Sequence, residues 1–211
     1  LSPTVRWCAS IDADHYAGLG ELTRTRSDGS VPKTEVRTML RSGVWGDAGN
    51  MRDYRAVWLG QVFVERAAWS RDVPDQWLAT ASGNVRIAGP DYVWLRFWLS
   101  VEGRVIDKYF DATGATMGWY APVTTSLEQK GHQISAETLC LGLWIDVENR
   151  VTVMGEQEFD RAHSVGELSP VEVEAAEFDI RQLTLSVASK RFPPGIVRNL
   201  AIAAIAMEPD P

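Results

Sequence analysis

Cysteine and histidine are scarce in this chain, with two of the first and three of the second among 211 residues. Cys8 and Cys140 lie too far apart for a zinc knuckle and are too few for a disulfide scaffold. His15, His132 and His163 are isolated and lack metal-ligand spacing. No long apolar run is present. The longest near an end, Leu200 to Met207, is far short of the roughly 20 residues of a membrane-spanning helix. No leader pattern of basic, apolar and then small residues opens the sequence, so the expected compartment is the cytoplasm. Clustered basic residues are also missing. The formal charge is −7 and the pI near 5.0, which disfavours nucleic acid and anionic lipid as partners. Gly-rich phosphate loops, a serine nucleophile elbow and Cys-x-x-Cys are absent as well.

Aromatic bulk is plentiful, with nine tryptophans in a chain that is 45% hydrophobic and 23% charged. That is ordinary globular composition, compatible with one domain over 1–211. The tryptophans as a set point to a cavity for a bulky, apolar small molecule. From Val5 to about Val153 the chain reads as short strands between turn signals. Ser27-Asp28-Gly29-Ser30, Gly46-Asp47-Ala48-Gly49-Asn50, Ser82-Gly83-Asn84, Gly89-Pro90-Asp91, Glu102-Gly103 and Ala112-Thr113-Gly114 are the clearest turns. Helical signals follow only after Met154. Glu156 to Ser164 ends near Gly166. Ser169-Pro170-Val171-Glu172 then carries a capping box, and Ile196 to Ala206 reads as a last apolar helix. The expected fold is mostly β, an antiparallel β-barrel over 1–155 with C-terminal α-helices over 156–211 packed against it.

One strand separates its faces sharply. Leu139, Leu141, Leu143 and Ile145 form an apolar side, whereas Thr138, Cys140, Gly142, Trp144 and Asp146 form a mixed one. Lys108-Tyr109-Phe110-Asp111, Gly114, Gly118-Trp119-Tyr120, this strand, Glu156-Gln157-Glu158-Phe159-Asp160-Arg161-Ala162 and Gly166-Glu167-Leu168-Ser169 together resemble domain-of-unknown-function family 402, the FomD-like barrels. The resemblance implies an antiparallel barrel with C-terminal helices. It also implies nucleoside di- and triphosphate or nucleotidyl-phosphonate hydrolysis with two divalent cations, held by acids on the polar face of this strand and at the start of the short helix. At the corresponding positions this chain has Thr138, Cys140, Gly142 and Gly155, and only Glu158 is acidic. Such side chains do not replace the oxygen ligands of hard cations. The expectation is therefore an enzyme without metal or other cofactor.

Without a metal, chemistry falls to acids and phenols. Asp107, Tyr109 and Asp111 project from one face of one strand, and Tyr109 matches a tyrosine that the resemblance places in the barrel site. A buried Asp has its pKa raised, and a neighbouring hydroxyl suits general acid/base work. The catalytic candidates are Asp107, Tyr109 and Glu158. The substrate-binding candidates are Trp94, Arg96 and Trp98 on one strand face, Trp119 and Tyr120 at the cavity mouth, and Trp144. The function expected is general acid/base catalysis on a large apolar molecule, of the kind that closes spiroacetal or cyclic-ether rings in polyketide biosynthesis. The alternatives are a metal-dependent nucleoside diphosphate or nucleotidyl-phosphonate hydrolase and a non-catalytic ligand-binding barrel.

Overall fold

A computed structural model describes residues 37–43, 51–72 and 74–205. The expected strands before residue 37, the turns at Ser27-Asp28-Gly29-Ser30 and Gly46-Asp47-Ala48-Gly49-Asn50, Cys8 and His15 lie outside the described residues. The strands are β1 (Met39–Arg41), β2 (Met51–Leu59), β3 (Val62–Trp69), β4 (Gln76–Thr80), β5 (Gly83–Ala88), β6 (Val93–Leu99), β7 (Arg104–Phe110), β8 (Thr116–Thr124), β9 (Glu128–Lys130), β10 (Gln133–Asp146) and β11 (Val151–Met154). Helices α1 (Glu156–Ser164), α2 (Pro170–Ala188) and α3 (Gly195–Asn199) follow, with a 3₁₀ turn at Ile202–Ile205. Among the described residues no helix is long and apolar enough to cross a membrane.

The main sheet is antiparallel throughout, in the order β1-β10-β8-β7-β6-β3-β2, with β9 and β11 also pairing with β10. It curls into a half-barrel, with the helices at the C-terminal side. Alternation along the strands decides what each face meets. The convex face gathers Val64, Leu95, Phe97, Ile106, Leu143 and Ile145, and α1 and α2 cover it with Phe159, Ala162, Val173, Ala176, Leu183 and Val187. Fully burying each Leu, Ile, Val or Phe contributes roughly 1.5–3 kcal/mol. The concave face gathers two further clusters. Leu40, Trp98, Val105, Ile134 and Ala136 fill one end, and Trp69, Trp94, Tyr109, Tyr120, Trp144 and Met154 the other. The β4–β5 hairpin, a separate two-stranded sheet, packs Leu78, Ile87 and Ala88 onto the second cluster.

The α2 start is the one its sequence requires. The Glu172 amide donates to Ser169 Oγ at 3.3 Å, and the Ser169 amide donates back to Glu172 Oε2 at 2.9 Å, with Pro170 in the first helical turn. The expected last helix from Ile196 to Ala206 is divided instead. Leu200 takes extended angles after α3, and Lys108 Nζ holds the Arg198 and Leu200 carbonyls at 2.8 and 2.9 Å. Those carbonyls bond to an ammonium rather than to a continuing helix.

Candidate active site on the concave face

Backbone register assembles the site. Glu65 on β3 pairs with Arg96 on β6, Arg96 with Asp107 on β7, Asp107 with Tyr120 on β8, and Tyr120 with Trp144 on β10. One cross-strand rung therefore carries Glu, Arg, Asp, Tyr and Trp side by side on the concave face. Asp107 and Glu65 are fully buried and Arg96 is 1% exposed. Arg96 clasps Asp107 with both forks, Nε to Oδ1 at 2.8 Å and Nη2 to Oδ2 at 3.0 Å. Glu65 accepts from Trp98 Nε1 at 2.5 Å, the Tyr54 hydroxyl at 2.7 Å and the Gly43 amide at 2.6 Å.

Aromatic rings line one side of this rung. Trp69 and Trp94 stack at 6.5 Å, Trp94 and Tyr109 at 5.5 Å, and Tyr109 and Trp144 meet tilted at 5.6 Å. The Arg96 guanidinium lies 4.7 Å over the Trp94 ring. Two glycines make the crowding possible. A Cβ on Gly118 would stand 2.5 Å from Trp144 Cζ2, and one on Gly142 would overlap the Tyr120 hydroxyl. Tyr120 therefore fills the space that a side chain at position 142 would take.

Burial dominates the protonation behaviour here. It pushes Asp107 above the ordinary carboxylate range, with Arg96 opposing and Glu65 adding to the shift. It pushes the Tyr120 phenol up as well, and the charges of Asp107, Cys140 and Glu158 act in the same direction. Tyr120 is thus a hydroxyl that stays protonated and can donate. Its oxygen lies over Gly142, the corner where β10 meets the first turn of α1 and the half-buried Glu158.

Among the described residues, these neighbours offer a divalent cation few oxygen ligands. Thr138 Oγ1 accepts the Thr38 amide at 2.9 Å, and burial pushes the Cys140 thiol up to about 11. Gly155 is left-handed, φ 79°, with its Cα facing the Cys140 carbonyl so closely that no Cβ fits. Among the described residues no three His, Cys, Asp or Glu converge as a metal-binding group. Mg²⁺ and Mn²⁺ require several oxygen ligands, more than these described residues bring together.

The structure brings Asp107, Tyr109, Trp94, Arg96, Trp98, Tyr120 and Trp144 onto one face, and Glu158 lies at its edge. Trp119 goes elsewhere. Next to Tyr120 on the same strand, it faces the helix-covered core, where Lys108 Nζ sits 5.8 Å from its ring. Asp111 lies beyond β7 and shapes the turn, accepting the Thr113 and Ala115 amides at 2.9 Å each. Glu65, Tyr54 and Trp69 are site residues that the sequence reading did not include. Glu65 is the one charge on the otherwise apolar face that Phe63, Ala67 and Trp69 form in the strand Val62–Trp69, a buried-acid signal in retrospect.

No family model matches the chain, and no curated protein matches it. Solved structures do. The phosphatase SC4828 with the non-hydrolyzable nucleotide GPCP aligns with a TM-score of 0.50 at 14% identity, over 69% of this chain and 84% of that one. FomD in complex with CDP aligns with a TM-score of 0.49 at 16% identity, over 65% and 76% of the two chains. A DUF402 protein of unknown function from Rhodococcus sp. RHA1 aligns with a TM-score of 0.46 at 14% identity, over 76% and 84%. At such identities the likeness is one of fold alone, and the first of the three carries it.

Proposed function

We propose that the chain is an enzyme for a small molecule bound against the concave face, and that it acts by proton transfer without a divalent cation. The observation that carries this is the buried rung Glu65-Arg96-Asp107-Tyr120, flanked by stacked aromatic rings, with the Glu158 charge acting on Tyr120 from the start of α1. Tyr120 is the proton donor, Glu158 the acceptor, and Asp107, clasped by Arg96, the charge that helps to keep the phenol protonated. Tyr109 contributes to the aromatic wall. Two reactions are compatible with this donor set. The fold neighbour that is a phosphatase makes hydrolysis of a nucleoside di- or triphosphate the first reaction to assay. Glu158 would take a proton from the attacking water as the bond from phosphorus to the leaving oxygen breaks, and the protonated Tyr120 would donate a hydrogen bond to that departing oxygen. Closure of a dihydroxyketone to a spiroacetal, with loss of water, rests on the donor set alone and has no support from the comparisons. Glu158 would take the proton of the first hydroxyl as its oxygen attacks the carbonyl carbon, and Tyr120 would protonate the carbonyl oxygen, giving a cyclic hemiketal. Glu158 would then return its proton to the hemiketal hydroxyl, which leaves as water, while the second hydroxyl attacks the same carbon and gives its proton back to Tyr120.

The test is turnover of both substrate types with EDTA and with Mn²⁺, by wild type, Tyr120→Phe and Glu158→Gln. We expect turnover that EDTA leaves intact, with each variant lowering kcat by about 10²–10⁴-fold. Turnover that depends on added Mn²⁺ would reject the metal-independent reading. Turnover equal in wild type and both variants would remove the rung and its corner from the chemistry.

A further inference from the structure

Helix α2 buries one face and leaves another without a partner among the described residues. Val173, Ala176, Leu183 and Val187 go into the core. On the far side, Val171, Ala175, Phe178, Gln182 and Leu185 recur at alternating spacings of four and three, the pattern of a helix-pairing seam. Its large members are well exposed, Val171 at 75%, Phe178 at 57% and Leu185 at 59%. Beside the seam runs a groove of about 360 Å³, whose walls include Phe178, Ala175, Val123 and Leu139.

We propose that this face is an isologous contact, with α2 of one copy lying antiparallel on α2 of a second. Phe178 sits next to the midpoint of the helix, with Val171 and Leu185 each seven residues away. A two-fold axis at Phe178 therefore sets Val171 of each copy against Leu185 of the other and brings the two phenyl rings to the shared centre. Knob and groove occupy the same face, as an isologous contact needs. Charge agrees with the pairing. Three of the α2 acids flanking the seam are paired within the copy: Glu172 with Arg37 at 2.8 Å, Asp179 with Arg104 at 2.5 Å and Glu177 with Arg181 at 3.4 Å. The same axis places Arg181 one residue from opposing Glu174 of the second copy, a complementary contact made twice. The helix alone is roughly 28 Å long and about 10 Å across. That falls short of the roughly 800 Å² per partner of a standard interface, so the groove wall has to take part and the dimer is a weak one.

Sedimentation velocity from low to several hundred micromolar protein should show monomer passing to dimer, and Phe178→Glu should remain monomeric with an unchanged circular dichroism spectrum. As a second readout, Phe178→Cys on the axis should cross-link to its own copy under mild oxidation, whereas Val165→Cys, exposed and off this face, should not. A wild type that stays monomeric throughout overturns the proposal. So does a dimer that Phe178→Glu leaves intact, or a monomeric Phe178→Cys variant whose introduced thiol is shielded from maleimide, since another part of the chain would then cover the seam.

Discussion

At the scale of single residues, the concave face depends on two glycines as much as on its acids. Gly142 and Gly118 stand opposite aromatic rings that occupy the volume a Cβ would need. Gly142→Ala must push the Tyr120 ring within a closely packed cluster, at a cost of about 1–3 kcal/mol. Urea denaturation measures this, and a midpoint equal to wild type would show that the ring moves freely. The sequence exposed part of this arrangement. Alternation in β10 separated Leu143 and Ile145 from Trp144, but it misplaced Cys140, which sits at φ 67° in a bulge between Thr138 and Gly142 and packs against the same cluster as Leu139 and Leu141. It could not show that Tyr120 points into the glycine gap while Trp119 turns away, because alternation fixes relative faces and not which one is concave. Nor could it pair Arg96 with Asp107. Each was read on its own strand, and cross-strand register is a long-range property that hydrophobic pattern leaves open.

The elements differ in how locally they are encoded. The α2 start rests on four consecutive residues, so it was fully legible, and its cost of removal follows from the same bonds. Ser169→Ala should lower stability by about 1 kcal/mol and Ser169→Gly by only a few tenths; equal losses in thermal or urea melts would count against the cap. The break after α3 was not legible, since it depends on Lys108, ninety residues earlier in the chain. Lys108 is buried against Phe110 and Trp119, and burial pushes its pKa down to about 8. An unfolded lysine titrates near 10.4. Between about pH 8 and pH 10 the unfolded chain therefore holds a proton that the folded chain has released, and stability gained from this group rises with pH across that window. Lys108→Met should remove the rise. Parallel pH profiles of wild type and variant over roughly pH 7–10 would contradict the assignment.

The whole molecule combines a tightly coupled sheet with one loosely attached piece. Strand β10 pairs with β1, β8, β9 and β11, so no part of the main sheet can open at β10 without loss elsewhere. Among the described residues the β4–β5 hairpin has no backbone ladder to that sheet. Beyond its apolar contacts with the Trp94 and Tyr109 cluster, it is tied by side-chain bonds such as Ala81 N to Thr152 Oγ1 at 2.9 Å and Ser82 Oγ to Asp146 Oδ2 at 3.1 Å. An isolated two-stranded sheet is marginal in water, so the hairpin should open at a free energy well below that of global unfolding. Opening would uncover the aromatic wall where the proposed substrate rests. Native-state hydrogen exchange should therefore show β4 and β5 amides exchanging far faster than those of β6, β7 and β8, and a ligand held against Trp94 and Tyr109 should slow them, because it packs under Leu78 and Ile87. Uniform protection of hairpin and sheet would mean that the hairpin is part of the global unit. Fast exchange that a bound ligand leaves unchanged would place the ligand away from the concave face.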